Sequence, residues 1–247
     1  MNNDKISLCI PTMDRFDTFL NSYLKKYIEY GEKGLIDEIV INDETGNDYN
    51  KIIQNYNTDL LRVYKNIDRL GPFLNKLKVC SYAKNEYIVL MDSDNFADEN
   101  YFINLKEYIS KNSKSLSKHF ILSPSFAKPR FNYKQFENNI VTKENLNNYK
   151  RVGNFSVLMN TGNYLLSRSI FNDININDTN ISKSVHSSDV IYFNTLCFQQ
   201  FEDFQFHILE NLEYEHVVHD ESCYLKNFQD ENMSKNCNYV HSLFHNL

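Results

Sequence analysis

Two carboxylates one residue apart, Asp92 and Asp94, follow the apolar run Tyr87-Ile88-Val89-Leu90-Met91. Extended backbone alternates its side chains, so positions 92 and 94 project in similar directions. Like charges held that close repel unless a cation lies between them. Hard divalent ions such as Mg²⁺ or Mn²⁺ take oxygen ligands and often share them with the phosphates of a substrate. Asp92-Ser93-Asp94 is therefore a candidate metal and phosphate site. A competing reading makes the same acids a turn that caps a helix beginning near Glu99. What decides between them is the strand that delivers Asp92 and where its end lies.

The preceding chain alternates strand and helix signals. Ile6 to Ile10 is a short apolar run stopped by Pro11, as expected of a buried parallel strand. Phe16, Phe19, Leu20, Tyr23, Leu24 and Tyr27 then recur at helical spacing, with Asp14 as a cap and Gly31 and Gly34 as stops. Asp37 to Asp43 reads as a second strand, Tyr49 to Tyr56 as a short helix and Leu60 to Tyr64 as a third strand. Phe73, Leu74, Leu77 and Cys80 mark another helix, Tyr87 to Met91 a fourth strand, and Glu99 to Ser110 a further helix. Such alternation predicts a mostly parallel sheet with helices on both faces. Ligands of such sheets bind beyond the carboxyl ends of the strands. Pro11, Asp43, Asn66 and Asp92 all fall at such ends, on one rim.

The second half is less regular. His119 to Leu122 reads as a strand, and Lys128 to Arg151 as a long polar loop. Val157 to Ser167 reads as extended structure broken at Asn160-Thr161-Gly162, and Asn172 to Lys183 as a loop. Val190, Phe193, Cys197 and Phe201 space as a helix, capped by Ser187 or Ser188. Phe204 to Val218 holds one or two strands, and Asn227 to Asn238 is a polar tail. With no internal repeat and no linker, the chain reads as one domain over 1–247, its halves being 1–110 and 111–247.

Apolar residues are 42% of the chain and charged residues 23%, as in a soluble globular protein. The formal charge of -6 argues against a broad nucleic-acid footprint. The five cysteines are scattered and odd in number, which suits reduced thiols in a cytoplasmic protein. No signal peptide or membrane span is evident, so any membrane contact is expected to be peripheral.

Four segments together resemble family-2-like inverting glycosyltransferases. Ile10-Pro11-Thr12-Met13-Asp14-Arg15 is similar to their opening P-T-x-N-R segment, and Val40-Ile41-Asn42-Asp43-Glu44-Thr45 to V-D-D-x-S. Asn66-Ile67-Asp68-Arg69-Leu70-Gly71 resembles N-x-G-x-x-G, and Tyr87 to Asn95 resembles Y-I-x-x-L-D-x-D-D. Order and spacing agree across all four. Departures are Asn42 and Asn95 in place of acids, and Asp14 in place of Asn.

The resemblance implies a GT-A-like, Rossmann-type α/β sheet with a nucleotide-sugar half and a smaller, mixed acceptor-side half. It implies that Pro11, Thr12 and Arg15 border the nucleotide, that Asp43 holds a uracil, and that Arg69 approaches the diphosphate or ribose. Asp92 and Ser93 then lie at the ribose or a metal-bound water, and Asp94 ligates Mn²⁺ or Mg²⁺. Asn160 to Arg168, including Gly162 and Asn163, resembles the family's G-x-x-x-x-x-R sugar-site strand. Ser188-Asp189 stands where the family has E-D, which makes Asp189 the candidate base for an acceptor hydroxyl. His216-Val217-Val218-His219-Asp220-Glu221-Ser222 resembles an H-x-x-H-x-x-S segment whose histidine completes the metal shell. Residues three apart on a strand face opposite ways, so one histidine is expected to reach the metal, and His219 is favoured.

The expected function is inverting, metal-assisted transfer from a UDP-sugar to a glycan, glycolipid or glycoprotein acceptor. A sugar-phosphate nucleotidyltransferase is an alternative, against which stands the absence of glycine between Pro11 and Arg15. A non-catalytic module binding nucleotide sugars or glycans is the other.

Overall fold

A computed structural model describes residues 4–176, 185, 187–219 and 231–247, the first three of the last segment by backbone alone. Among the described residues nine strands form one sheet, in the order β3-β2-β1-β4-β8-β5-β9-β7 with β6 paired to β5. β1 (Ile6–Thr12), β2 (Glu38–Asp43), β3 (Leu61–Lys65) and β4 (Tyr87–Leu90) are mutually parallel. Their apolar runs are continuous because helices cover both faces. Alternate residues of β1 enter different cores: Leu8 and Ile10 pack under α1 (Asn21–Glu32) and α4 (Glu99–Asn112), and Cys9 packs under α3 (Pro72–Ser81).

The first half follows the expected order, with α2 (Asn47–Asn55) between β2 and β3. β1 continues through Pro11 to Thr12, because the missing amide hydrogen does not stop the ladder to β2. The first helix begins as a π-turn at Phe16–Leu20. Asp14 does not cap it. Its backbone is left-handed (φ 56°), and its carboxylate accepts from Asn47 Nδ2 at 2.7 Å. Gly34 takes the left-handed φ of 75° just beyond α1. The cap of α4 is Asp98, which accepts from the Tyr101 amide at 3.1 Å, so that helix makes no demand on Asp92 or Asp94.

The second half departs further from expectation. β5 is nine residues long (Phe120–Lys128) and runs beside β9 (Gln205–Glu215) in parallel. β8 (Leu165–Ser167) lies between β4 and β5, antiparallel to both. The polar stretch 128–151 carries two short strands, β6 (Phe131–Asn132) and β7 (Ile140–Thr142). Val157 to Asn160 is not extended: Phe155–Met159 forms α5, whose Phe155, Leu158 and Met159 are buried. Residues 168–173 form α6 in place of a loop start, and α7 spans Asp189–Gln200. The presumed polar tail is in part helical. α8 (Glu231–His245) buries Val240 and Phe244 against the core that also holds α7. Residues 177–184 and 220–230, including much of two expected loops, lie outside the described residues. No helix among the described residues is long and apolar enough to cross a membrane.

Candidate active site

The winding of the sheet reverses between β1 and β4, because the chain goes from β1 outward to β3 and then returns to the other side of β1. Such a reversal opens a crevice beyond the carboxyl ends of the strands. Thr12, Asp43, Asn66 and Asp92 are at that rim, tied by backbone bonds from Glu44 to Thr12, Asn66 to Asp43 and Met91 to Cys9.

The rim beyond β1, β2 and β3 is stiffened by acids from the following turns. Asp48 in the first turn of α2 is buried and accepts from Thr12 Oγ1 (2.5 Å), the Arg15 amide (2.9 Å) and the Phe16 amide (3.0 Å). Glu44 accepts from the amides of Leu70 (2.7 Å) and Gly71 (2.6 Å) and from Asn66 Nδ2 (2.7 Å). Asn42 Nδ2 donates to Asn66 Oδ1 at 2.9 Å and Asn75 Oδ1 at 2.6 Å. The asparagine in the place of an acid thus belongs to an amide cluster under the Asn66–Gly71 loop. Asp43 is fully buried, with Oδ1 accepting from the Thr45 amide and Oδ2 from the Tyr49 amide at 2.8 Å. Burial pushes its carboxyl up. Arg69 is exposed and its guanidinium lies 3.1 Å from Met13 Sδ, across the mouth between the two loops.

Asp92 is held by its own backbone. Its amide donates to Asn163 Oδ1 at 2.7 Å, and Asn163 sits at φ 63° with its carbonyl accepting from Tyr101 Oη at 2.6 Å. Asparagine tolerates that left-handed backbone. Ser93 is buried beside it. The Asp94 carboxylate meets His219 Nε2 at 3.0 Å, and the His219 ring lies 5.1 Å from Phe19. Burial and the Asp92 charge push the Asp94 carboxyl up, while His219 and Arg15 pull it back. His216 lies edge-on to Phe131 at 5.2 Å, and burial lowers the basicity of its ring against the opposing charges of Asp92 and Asp94. Both histidines lie beyond the last residue of β9, and His219 is the one beside Asp94.

Asp189 opens α7 and reaches the same rim. Lys76 of α3 joins the two sides: its ammonium is 3.0 Å from Asp92 Oδ1 and 2.9 Å from Asp189 Oδ2. Burial opposes the lysine charge, but the carboxylates of Asp189 and Asp92 overcome it and hold its pKa well above the usual value. Burial raises the Asp189 carboxyl, Lys76 lowers it, and Asp92 adds to the rise. The start of α7 is fixed by Asn160, whose side chain donates to the Ser187 carbonyl at 2.7 Å and accepts from the Ile191 amide at 3.2 Å. Ser188, expected as a side-chain cap, caps nothing, since its hydroxyl contacts Cys237 Sγ of α8. Gly162 lies against Val190, where a Cβ would sit 3.2 Å from Cγ2.

Lys76, Asp48, Glu44 and Asn75 escaped the sequence reading. Lys76 had a signal: three after Phe73 and four before Cys80, it interrupts the buried stripe of α3. The acids had none, because their partners are backbone amides of distant loops.

Asp92 and Asp94 are of the oxygen-donor type that Mn²⁺ and Mg²⁺ take and His219 adds an imidazole, with Asp92 Oδ1 paired to Lys76 and the Asp94 carboxylate to His219. The upward push of Asp92 on Asp94 is what a cation between them relieves. No cluster of three or more His, Cys, Asp and Glu side chains among the described residues is placed to enclose a metal unaided.

The model of Glycosyl transferase family 2 matches residues 7–174, more than half of the chain. The chain belongs to this family. Its fold is that of solved S. aureus TarS. The TarS 1-349 crystal structure superposes with a TM-score of 0.64 at 14% identity, covering 98% of this chain and 71% of that one. The complex of TarS 1-349 with UDP-GlcNAc gives 0.67 at 15% identity, with 97% and 65% covered. Against longer TarS, the family-2 chain covers 43% of the length. No curated protein matches the sequence.

Proposed function

We propose that this family-2 protein transfers a sugar from a UDP-sugar to an acceptor hydroxyl with inversion, with Asp189 as the base. The observation that carries the reading is the pairing of Asp92 and Asp189 across one ammonium, at the crevice where the sheet reverses. Support for the donor comes from family membership and from TarS, solved with UDP-GlcNAc.

The backbone of Pro11 and Thr12, braced by Asp48, forms one wall for the nucleoside. Asp43, at the end of β2, is the acid that this reading sets against the uracil imide, and its carboxylate is oriented by the Thr45 amide and hydroxyl and the Tyr49 amide. Arg69 and Arg15 line the mouth through which the diphosphate enters. Asp94, Asp92 and His219 would hold a divalent cation, which would supply charge neutralisation for the departing nucleoside diphosphate. Asp189 takes the proton of the acceptor hydroxyl, which attacks the anomeric carbon from the face opposite the diphosphate. Its raised pKa makes it a stronger base than an exposed carboxylate, while Lys76 keeps it ionised. The acceptor is a glycan, glycolipid or glycoprotein hydroxyl.

The test is a thermal-shift screen of UDP and UDP-sugars with and without Mn²⁺, followed by UDP release. A ligand that binds the folded state raises the melting temperature. The expected result is a rise that needs nucleotide and cation together, with release of UDP from at least one donor. Melting curves that ignore both additives would overturn the reading.

A further inference from the structure

Lys76 is an unusual residue for its place. Its side chain is 15% exposed, and its stem lies along an apolar cleft. Phe73, Leu90, Tyr164, Phe171, Val190 and Phe193 line that cleft, with Asp189 at its polar end. A desolvated ammonium is costly unless paired. Here two pairs exist, and they come from separate elements: Asp92 follows β4, and Asp189 begins α7. The apolar walls leave the stem no polar alternative, so the ammonium points at the two carboxylates.

The two carboxylates differ in their other supports. The backbone of Asp92 is bonded to Asn163, and the Asp189 main chain is steadied by the Asn160 contacts. The Asp189 carboxylate is held by the Val190 amide and by Lys76, and its buried Oδ2 has the Lys76 ion pair and no regular hydrogen bond. From this we infer that Lys76 is a positioning residue, which holds the Asp189 carboxylate in register with the Asp92 side of the site. The inference rests on the transfer reading, because it assigns Lys76 its role through Asp189. A lysine suits the role because its compact charge with three donors can serve two carboxylates at once. Without it the two acids repel, and the Asp189 side chain loses its fixed direction. Donor binding survives, because the cation-binding acids gain negative charge rather than lose it.

The experiment measures UDP release from UDP-GlcNAc with Mn²⁺ for the full chain and for Lys76→Met, Lys76→Arg, Asp189→Asn and the Lys76→Met/Asp189→Asn double variant. Lys76→Met is expected to lower kcat by about 10²-fold, the scale of a misplaced general base. Its KM for donor should stay within about threefold, which separates positioning from lost binding. Lys76→Arg should recover at least about tenfold of the loss by restoring the charge. In the Asp189→Asn background, Lys76→Met should cost no more than about twofold, because residues that act as a unit are not additive. A kcat within twofold of wild type for Lys76→Met, or losses that multiply in the double variant, would overturn the role. Should Lys76→Met fail to fold, Lys76→Gln and Lys76→Arg decide the same question, a wild-type kcat in Lys76→Gln counting against the role. If wild type releases no UDP from any UDP-sugar, the transfer reading fails and this inference with it. If wild type turns over and only the Lys76 results disagree, the inference alone fails.

Discussion

The two rims of the crevice, proposed above for donor and acceptor, are both acidic, yet they are built differently. On the donor side, Asp92 and Asp94 follow directly from β4, and the ladders to parallel β1 and antiparallel β8, with the Asn163 side chain on the Asp92 amide, fix where they lie. On the acceptor side, Asp189 begins a helix whose position depends on side-chain contacts: Asn160 to Ser187 and Ile191, Ser188 to Cys237, and Lys76 to the carboxylate. Backbone ladders are set by short stretches of sequence and by sheet register. A site assembled through side chains from α3, the turn before β8, and α8 depends on everything that packs those elements together. The donor side should therefore tolerate disturbance elsewhere, while the acceptor side should lose activity with it.

The strongest way to break this contrast is to remove one acid from each rim. Asp189→Asn should lower turnover by about 10² to 10⁴-fold, the usual contribution of a general base. It should leave the Mn²⁺-dependent thermal shift with UDP in place. Asp94→Ala should abolish that shift. Loss of UDP binding in Asp189→Asn, or a surviving cation-dependent shift in Asp94→Ala, would show that the rims are not separable.

This division also explains what was legible in the sequence. The run Tyr87 to Met91 leads into Asp92, and the order of β1 to β4 followed from apolar runs and helical spacing. Each signal was local. β5, β8 and β9 pair across long separations, and a strand of three residues such as Leu165–Ser167 has too few alternations to announce itself. Phe155–Met159 carries apolar residues that suit either state, and packing against the core made them helical. The polar composition around Asn236 concealed the helix of Val240 and Phe244, whose buried stripe is sparse. Asp189 was found by motif position, whereas its tie to Lys76 is a tertiary contact without a sequence pattern.

The next largest effect should come from α8, which packs against α7. Phe244 is fully buried and lies 6.4 Å from the Phe155 ring. Phe244→Ala should cost about 3–5 kcal/mol of stability in urea unfolding, the range for a buried aromatic truncated in a core. In the folded fraction kcat should fall while the UDP thermal shift persists. An unchanged kcat would mean that the Ser188–Cys237 contact does not bear on Asp189.

Acid offers a milder probe of the second half. His207 on β9 is buried, bonded to Tyr108 Oη at 2.8 Å and Gln205 Oε1 at 3.0 Å, and burial lowers its pKa from 6.5 to about 4. Between those values the unfolded chain binds a proton that the folded chain refuses, so stability falls as pH drops through that window. The shift corresponds to about 3 kcal/mol lost by pH 4. His207→Gln should flatten the slope of unfolding free energy against pH by up to about one proton. A slope identical to wild type would place the acid sensitivity elsewhere.

The smallest effect sharpens the comparison most, because it reaches the acceptor side through one methyl group. Gly162 lies in the turn before β8, and its Cβ would meet Val190 Cγ2 at 3.2 Å, tighter than ordinary contact. Its backbone is not in the left-handed region, so Gly162→Ala meets no conformational penalty and loses unfolded-state entropy, worth about 0.4–1 kcal/mol of stabilisation. The close approach to Val190 opposes that gain by a similar amount, since overpacking costs about 1 kcal/mol at its mild end. Net stability should therefore change by less than about 1 kcal/mol. Activity should change more than stability does. Val190 follows Asp189 directly, so a few tenths of an ångström yielded by Val190 passes to the carboxylate that Lys76 holds. A fall in kcat of about threefold, with the UDP thermal shift intact, is the expected outcome, because misplaced catalytic groups lose rate steeply with displacement. Full activity in Gly162→Ala would mean that Asp189 is positioned independently of the Asn160–Asn163 turn, and the acceptor side would then be as self-contained as the donor side.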